Sequence, residues 1–375
     1  IPLRLVGSEM CIRDRLEAGL AGARVIIADE QSEFGGTLLA SNEKFDSQSA
    51  NDWLVAIFSQ LSSLRNVKCL TRSTVFGYYD HNFLTILERC TDHLGITASS
   101  GPRQYMHKVR AKQVVLATGA FERPLVFAHN DIPGVMQASS VSTYINRFSV
   151  APGNKLVLAT SNDNAYRTAI DWYNAGREVV AIIDSRYSPN GDLVVKAESM
   201  GIKIYDGHGL IEARGGKRVK SALIAPLSIG GTEVIGAVSQ LACDLIATSG
   251  GWSAAVHLSS HTGAKPVWDE EIVSFRPGDS KQQERSVGAC KGTFGSHDGL
   301  VEGAIGGARA AHCAGFGDGT VKTSIPNIIQ VGEQPQQALF LVPHTKPTSR
   351  APSQFVDFQL DVSASAIELA VLEGF

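Results

Sequence analysis

Four short apolar runs, each ending on an acid or a glycine, constrain this chain more than any other feature. They are ARVIIADE at 23–30, VVLATG at 114–119, KLVLATSND at 155–163 and CDLIATSGG at 243–251. A strand that is apolar on both faces is covered on both faces, which is the environment of a parallel sheet. Parallel strands need crossover connections, usually helices. The pattern therefore predicts α/β units of the βαβ kind.

The first unit is read from residues 16–40. LEAGLAGA is compatible with a helix, and ARVIIADE is the strand after it. Asp29, with Glu30 beside it, ends that strand, and an acid there accepts hydrogen bonds from an adenosine ribose. Gly35 and Gly36 follow and let backbone pass close to a pyrophosphate. Residues 51–66 read as a helix with Trp53, Ile57, Leu61 and Leu64 on one face. VKCLTRSTVFGYYDHNFLTILERC reads as a small antiparallel excursion. The strand VVLA then returns to the sheet and ends at Thr118 and Gly119, where Gly admits a cofactor and Arg123 is placed to meet phosphate.

A second unit, KLVLATSNDNAYRTAIDWYNAGREVVAIID, is strand, turn, helix, strand. Its turn is Ser161-Asn162-Asp163-Asn164-Ala165 in place of glycines. Asn and Asp tolerate tight turns, but an acid repels phosphate, so this turn reads as the remnant of a nucleotide site. Asp184 ends the next strand. CDLIATSGG then returns the chain to the first domain, with Gly250 and Gly251 at the expected cofactor turn. SVGACKGTFGSHDGLVEGAIGGARAA gives a strand, a turn at Gly288 and a small-residue helix. Residues 315–353 are rich in Gly, Pro, Ser, Thr and Gln and read as a linker. SASAIELAVLEGF is a helix with Asp361 or Ser363 as its N-cap.

With 375 residues, the chain has room for two or three domains at about 150 residues each. The expected architecture is α/β, with two Rossmann-like dinucleotide-binding units of the FAD/NAD(P)-binding, disulfide-reductase-like class and the second inserted in the first. Residues 16–150 and 245–320 are expected to form the NAD-binding domain, and 151–244 the insert. A net charge of −3 without a long basic run gives no footprint for nucleic acid. No apolar run reaches the roughly 18 residues of a membrane span. The six cysteines, Cys11, Cys69, Cys90, Cys243, Cys290 and Cys313, show no metal spacing and read as small buried hydrophobes in a reducing, cytoplasmic setting. His257 and His261 stand at i, i+4 but lack a third ligand, so no metal is expected.

Both ends carry expectations of their own. VGSEMCIRDR resembles translated sequencing adapter, so residues 1–15 are expected to be non-native, standing where a glycine-rich loop belongs. Gly7, 22 residues before Asp29, is the only glycine there. The end of the chain inside a helix suggests an internal fragment of a longer protein.

Five stretches together carry a family resemblance: ADEQSEFGGTLL, ATGAFERPLVFAHNDIPGVM, VAPGNKLVLATSNDNAYRTAIDWYNAG, CDLIATSGGWSAAVHLSSHTGAK and FVDFQLDV. The chain resembles the alpha subunits of heterotetrameric sarcosine oxidases over most of residues 16–375. The resemblance implies oxidation of sarcosine to glycine, formaldehyde and hydrogen peroxide, or to methylenetetrahydrofolate with tetrahydrofolate. It implies NAD in this chain, FMN at the interface with a beta subunit, FAD in that beta subunit, and further small subunits. Residues 321–375 would be a linker and the start of a folate-binding, aminomethyltransferase-like domain. Flavin-binding members of this fold often carry Asp after the Gly of the last strand. Here Gly288 is followed by Ala289 and Cys290, which favours a nicotinamide nucleotide over a flavin. The resemblance places amine oxidation on the beta subunit, so no residue of this chain is assigned to catalysis. Two other readings remain: an opine-type or cyanide-forming dehydrogenase subunit, and a nucleotide-bound scaffold without activity.

Overall fold

A computed structural model describes residues 3–7, 12–97 and 101–375. The chain divides into two compact units. The first holds residues 1–121, 253–270 and 274–330; the second holds 122–252, 271–273 and 331–375.

The first unit is built on a five-stranded parallel sheet. Its spatial order is Glu284–Ser286, Val114–Ala117, Leu3–Gly7, Val25–Ala28, Val67–Leu70. Registers such as Val6 with Ala28 and Gly7 with Ala117 bring the carboxyl ends of these strands to one edge. Alternation explains why the runs are apolar throughout. Val115 and Ala117 face one core with Ile27, Trp53, Ile57, Leu61 and Leu300. Val114 and Leu116 face another with Tyr78, Leu84, Ile86 and Val109. The helix Ala50–Ser63 starts where Ser49 Oγ accepts from Asp52 N at 3.1 Å. The stretch expected to be wholly antiparallel splits. Val67–Leu70 joins the parallel sheet beside Val25–Ala28, and only Ser73–Tyr79, Phe83–Arg89 and Gln104–Arg110 form the antiparallel sheet. Leu70 shares a core with Ala28, Val67 packs against the core of Val25 and Ile27, and these contacts on both faces draw the strand in.

The helices Ile12–Leu20 and Ser296–Cys313 approach so closely that a Cβ on Gly307 would lie 2.0 Å from the Asp14 carbonyl oxygen. Gly307→Ala should therefore cost about 1–3 kcal/mol by overpacking. A urea midpoint unchanged from the parent would refute this contact.

The second unit has its own five-stranded parallel sheet, ordered Val135–Gln137, Leu245–Ser249, Lys155–Thr160, Glu178–Asp184, Ile204–Tyr205. Helices Ala138–Phe148 and Tyr166–Asn174 pack on it through Val141, Tyr166, Ile170 and Trp172. The antiparallel strands His208–Gly215, Val219–Pro226 and Ser239–Ala242 contribute to the core on Val157, Ala159 and Ile183. Two expected boundaries move. Leu245–Ser249 pairs with Lys155–Thr160, Leu158 opposite Ala247, so it is a strand of the second sheet and not a return to the first. Val135–Gln137 pairs with it in turn, so 122–150 also belongs to the second unit. Leu245–Ser249 and Lys155–Thr160 are largely apolar parallel strands, and pattern alone does not say which sheet buries them.

Ser363 is the N-cap of Ala364–Glu373, accepting from Ala366 N at 3.2 Å. Cys243 and Cys290 are buried, but Cys69 and Cys313 are exposed, against the expectation of packing. Val67–Leu70 lies at the outer edge of its sheet, and Cys313 closes the last turn of its helix, so both thiols reach the surface. Cys11 lies outside the described residues.

Candidate functional site

In a parallel α/β sheet, ligands bind at the carboxyl ends of the strands. In the first unit those ends are Gly7, Asp29, Thr118 and the turn at Gly288. Asp29 is fastened through its backbone: its N–H donates to Leu70 O at 2.9 Å and its carbonyl accepts from Ser73 N at 2.7 Å. Its Oδ1 accepts from Gln31 N at 2.9 Å, and no residue among those described donates to Oδ2. Burial raises the Asp29 pKa above the usual carboxylate range. A half-satisfied, desolvated carboxylate at a strand end is suited to a neutral diol donor. Glu30 is exposed and its carbonyl accepts from Arg89.

Gly35 has φ +131°, and a Cβ there would meet Leu54 at 2.8 Å; Gly36 has φ +51°. Both positions favour glycine, and they turn the chain next to the Asp29 strand end. Thr118 Oγ1 donates to Ala255 O at 2.9 Å, and Gly119 has φ +74°. Gly288 N donates to Glu302 Oε2 at 2.8 Å, tying the last turn to the helix Ser296–Cys313. Cys290 Sγ packs against Leu116 O and Val287 O at 3.2 Å, and burial pushes its thiol up to about 11, away from nucleophilic chemistry. Asp29, Gly35, Gly36, Thr118, Gly119 and Gly288 thus belong to one unit.

Three expected site residues do not. Arg123, Gly250 and Gly251 belong to the second unit. Arg123 was expected to meet phosphate, but its guanidinium donates to the carbonyls of Gly250, Trp252 and Val273 and lies over the Phe340 ring. A Cβ on Gly251 would be 1.9 Å from Gln336 Oε1, so this turn is filled by protein. Carbonyl oxygens from segments far apart in sequence converge on the guanidinium, and no local pattern announces that.

The turn 161–165, read in the sequence as the remnant of a nucleotide site, is likewise filled by protein, and so is the place beside Asp184. Asp184 and Asp163 both bond Arg186, two residues beyond the strand-end acid. The sequence marks Arg186 only by the Asp-x-Arg spacing. His261 Nδ1 accepts from Tyr78 N at 3.4 Å, and among the described residues no group of three His, Cys, Asp or Glu side chains is placed to hold a metal. No helix among the described residues is long and apolar enough to cross a membrane.

The glycine-loop position, residues 8–11, lies outside the described residues. The helix after it buries three successive charges, Arg13, Asp14 and Arg15. The Asp14 carboxylate lies 3.7 Å from Arg15 Nε and has no hydrogen-bond partner among the described residues. Glu17, one turn on, is equally buried but fully used: it accepts from Lys322 N at 2.8 Å, from Thr323 N at 2.9 Å and from the Thr323 hydroxyl. The orphaned acid therefore falls before Leu16, and the satisfied one after it.

No family model matches the chain. It is 34% identical over 362 residues to the sarcosine oxidase alpha subunit of Corynebacterium sp. (strain P-1), covering 96% of this chain and 37% of that protein. It is 38% identical over 363 residues to that of Rhizobium meliloti (strain 1021), covering 96% of this chain and 34% of that protein. The chain thus spans about a third of the length of these relatives. Among solved structures, L-proline dehydrogenase from P. horikoshii matches with a TM-score of 0.69 at 16% identity, over all of this chain and 67% of that one. Lactococcus lactis thioredoxin reductase matches with 0.61 at 15% identity, over 83% of this chain and 96% of that one. The fold is that of the FAD/NAD(P)-binding, disulfide-reductase-like flavoproteins.

Proposed function

We propose, for a chain that belongs with the sarcosine oxidase alpha subunits and spans a third of their length, that its first unit holds NAD within a multi-subunit amine-oxidising flavoenzyme. The observation that carries this is the Asp29 carboxylate, fastened by backbone on both sides and with Oδ2 open beside the Gly35–Gly36 turn. Asp29 would accept from an adenosine ribose hydroxyl. Gly35, Gly36, Gly119 and Gly288 would let backbone approach the rest of the nucleotide, with Thr118 and Glu30 flanking. NAD bound there would supply a hydride-accepting ring.

The resemblance extends the proposal to the whole protein. A beta subunit would carry the FAD and oxidise sarcosine, FMN would lie between the two, and tetrahydrofolate would bind in a following domain. Smaller subunits would complete the assembly, which we place in the cytoplasm. The acid–base groups for the amine would then lie outside this chain. In line with that, burial closes Cys290.

The test is peroxide release from sarcosine, run beside a measurement of bound NAD. The chain alone, with FAD and FMN added, should release no peroxide, and peroxide from it would overturn the subunit assignment. In the assembled enzyme, Asp29→Ala should lower NAD retention roughly 10- to 100-fold while turnover persists. The lost contact is a charge-assisted hydrogen bond of about 1.5–3 kcal/mol. Unchanged NAD content would remove Asp29 from the site.

A further inference from the structure

The fold implies a second dinucleotide crevice at the carboxyl ends of Lys155–Thr160 and Glu178–Asp184, and the residues there do not fit one. We propose that the second unit takes no dinucleotide because its own chain, the Arg186 guanidinium together with the segment 331–339, already occupies that crevice.

Asp184 holds the topological place in the second unit that Asp29 holds in the first, at the end of the second strand of a βαβ unit. In a working unit this acid receives the ribose diol. Here it has no capacity left. Arg186 donates to Oδ1 through its backbone N at 2.9 Å and through Nε at 3.1 Å, and to Oδ2 through Nη2 at 2.7 Å. The Tyr166 hydroxyl donates to Oδ2 at 2.9 Å. Asp184 is 0% exposed, so nothing from solvent competes.

The phosphate end is closed as well. The turn that should carry glycines instead carries Asp163, whose Oδ1 accepts from Arg186 Nη2 at 2.7 Å and whose Oδ2 accepts from Gln334 N at 2.7 Å. Two buried carboxylates against one guanidinium leave a net negative charge where a pyrophosphate would lie, and low-dielectric surroundings strengthen that repulsion. Space is lacking too: a Cβ on Gly191 would stand 2.0 Å from Asp163 Oδ2 and 3.2 Å from the Gly332 carbonyl.

The segment 331–339, expected to be free linker, is tied across this edge. Gly332 N donates to Asp192 Oδ2 at 2.7 Å, and Asp192 N to the Gly332 carbonyl at 3.1 Å. Asn190 N donates to Gln334 Oε1 at 2.8 Å, and the Gln334 amide returns a bond to Asn190 Oδ1. Gln337 N donates to the Ser161 carbonyl at 2.9 Å. The bonds reach both loops that a dinucleotide would have to touch, 161–165 and 184–191; among the described residues the Ser161 and Ser185 hydroxyls there have no partner.

Two measurements on the intact protein test this. In the first, Asn190→Cys and Gln334→Cys are combined to lock the segment by a disulfide, and NAD, NADP and ADP-ribose are titrated onto oxidised and reduced forms. Affinities and stoichiometry should agree within twofold. A tenfold weakening on oxidation would overturn the proposal. In the second, amide exchange at Gln334 and Gln337 is followed in the unmodified protein with and without each nucleotide at saturation. Exchange should stay within twofold, and a tenfold change at either amide would overturn the proposal even if the disulfide fails to form. NAD that survives Asp29→Ala but is indifferent to the lock would count against the first-unit site alone.

Discussion

Asp14→Ala should stabilise the folded chain by about 4 kcal/mol at pH 8 and by almost nothing at pH 4. Burial lifts the Asp14 carboxyl from its ordinary 3.8 up to about 7, against the weaker opposing pull of Arg15. Between those values the folded chain holds a proton that the unfolded chain has released. Stability from this group is thus fully present below about pH 4 and is lost as pH rises through 7. The magnitude follows from about 1.4 kcal/mol per pKa unit. The physical source is a carboxylate with no hydrogen-bond donor among the described residues, inside a helix whose neighbour Gly307 leaves no room to move away. Urea unfolding of parent and variant across pH 4–8 measures it. A difference that stays flat with pH would show that Asp14 is solvated or paired in solution.

The second large effect is on nucleotide binding. Replacing residues 8–15 with a segment of the G-x-G-x-x-G type should raise NAD affinity at least 100-fold. In the first unit, Gly7 ends the central strand, and the helix Ile12–Leu20 follows within a few residues. The N–H groups at such a helix start have no intrahelical partners and are the natural cradle of a pyrophosphate. Arg13, Asp14 and Arg15 are buried there, and Arg13 donates to the Ser324 carbonyl. We propose that residues 1–15 are foreign to this site. Titration of NAD against both forms decides: tight binding with residues 8–15 unchanged would show that the segment is native.

The two proposals fit together energetically. Asp29 and Asp184 are the same kind of residue at the same place in two related units. Asp29 keeps an open oxygen, whereas Asp184 receives four donated bonds. Breaking a buried pair of this kind leaves an uncompensated charge at a cost of about 3–5 kcal/mol. A nucleotide would have to exceed that before gaining anything from the second crevice.

Read alone, the sequence determined the elements and their class. The runs VIIA, VVLA, LVLA and LIA are apolar at every position because each strand meets a core on both faces, and that local requirement is legible in any single run. The same holds for Asp29 with Gly35 and Gly36, where an acid and a left-handed turn sit a few residues apart on one continuous stretch. Only the tertiary structure decided which sheet each run joins, because Leu245–Ser249 and Val114–Ala117 are interchangeable in pattern and differ only in the neighbours that bury them. It alone decided, too, which polar groups remain open. Arg123 and Arg186 look like free cations in the sequence. Their partners, Gly250 and Val273 in one case and Asp163 and Pro335 in the other, come from segments as far as 150 and 149 residues away, and hydrogen bonds closed over such distances leave no periodicity or spacing to read.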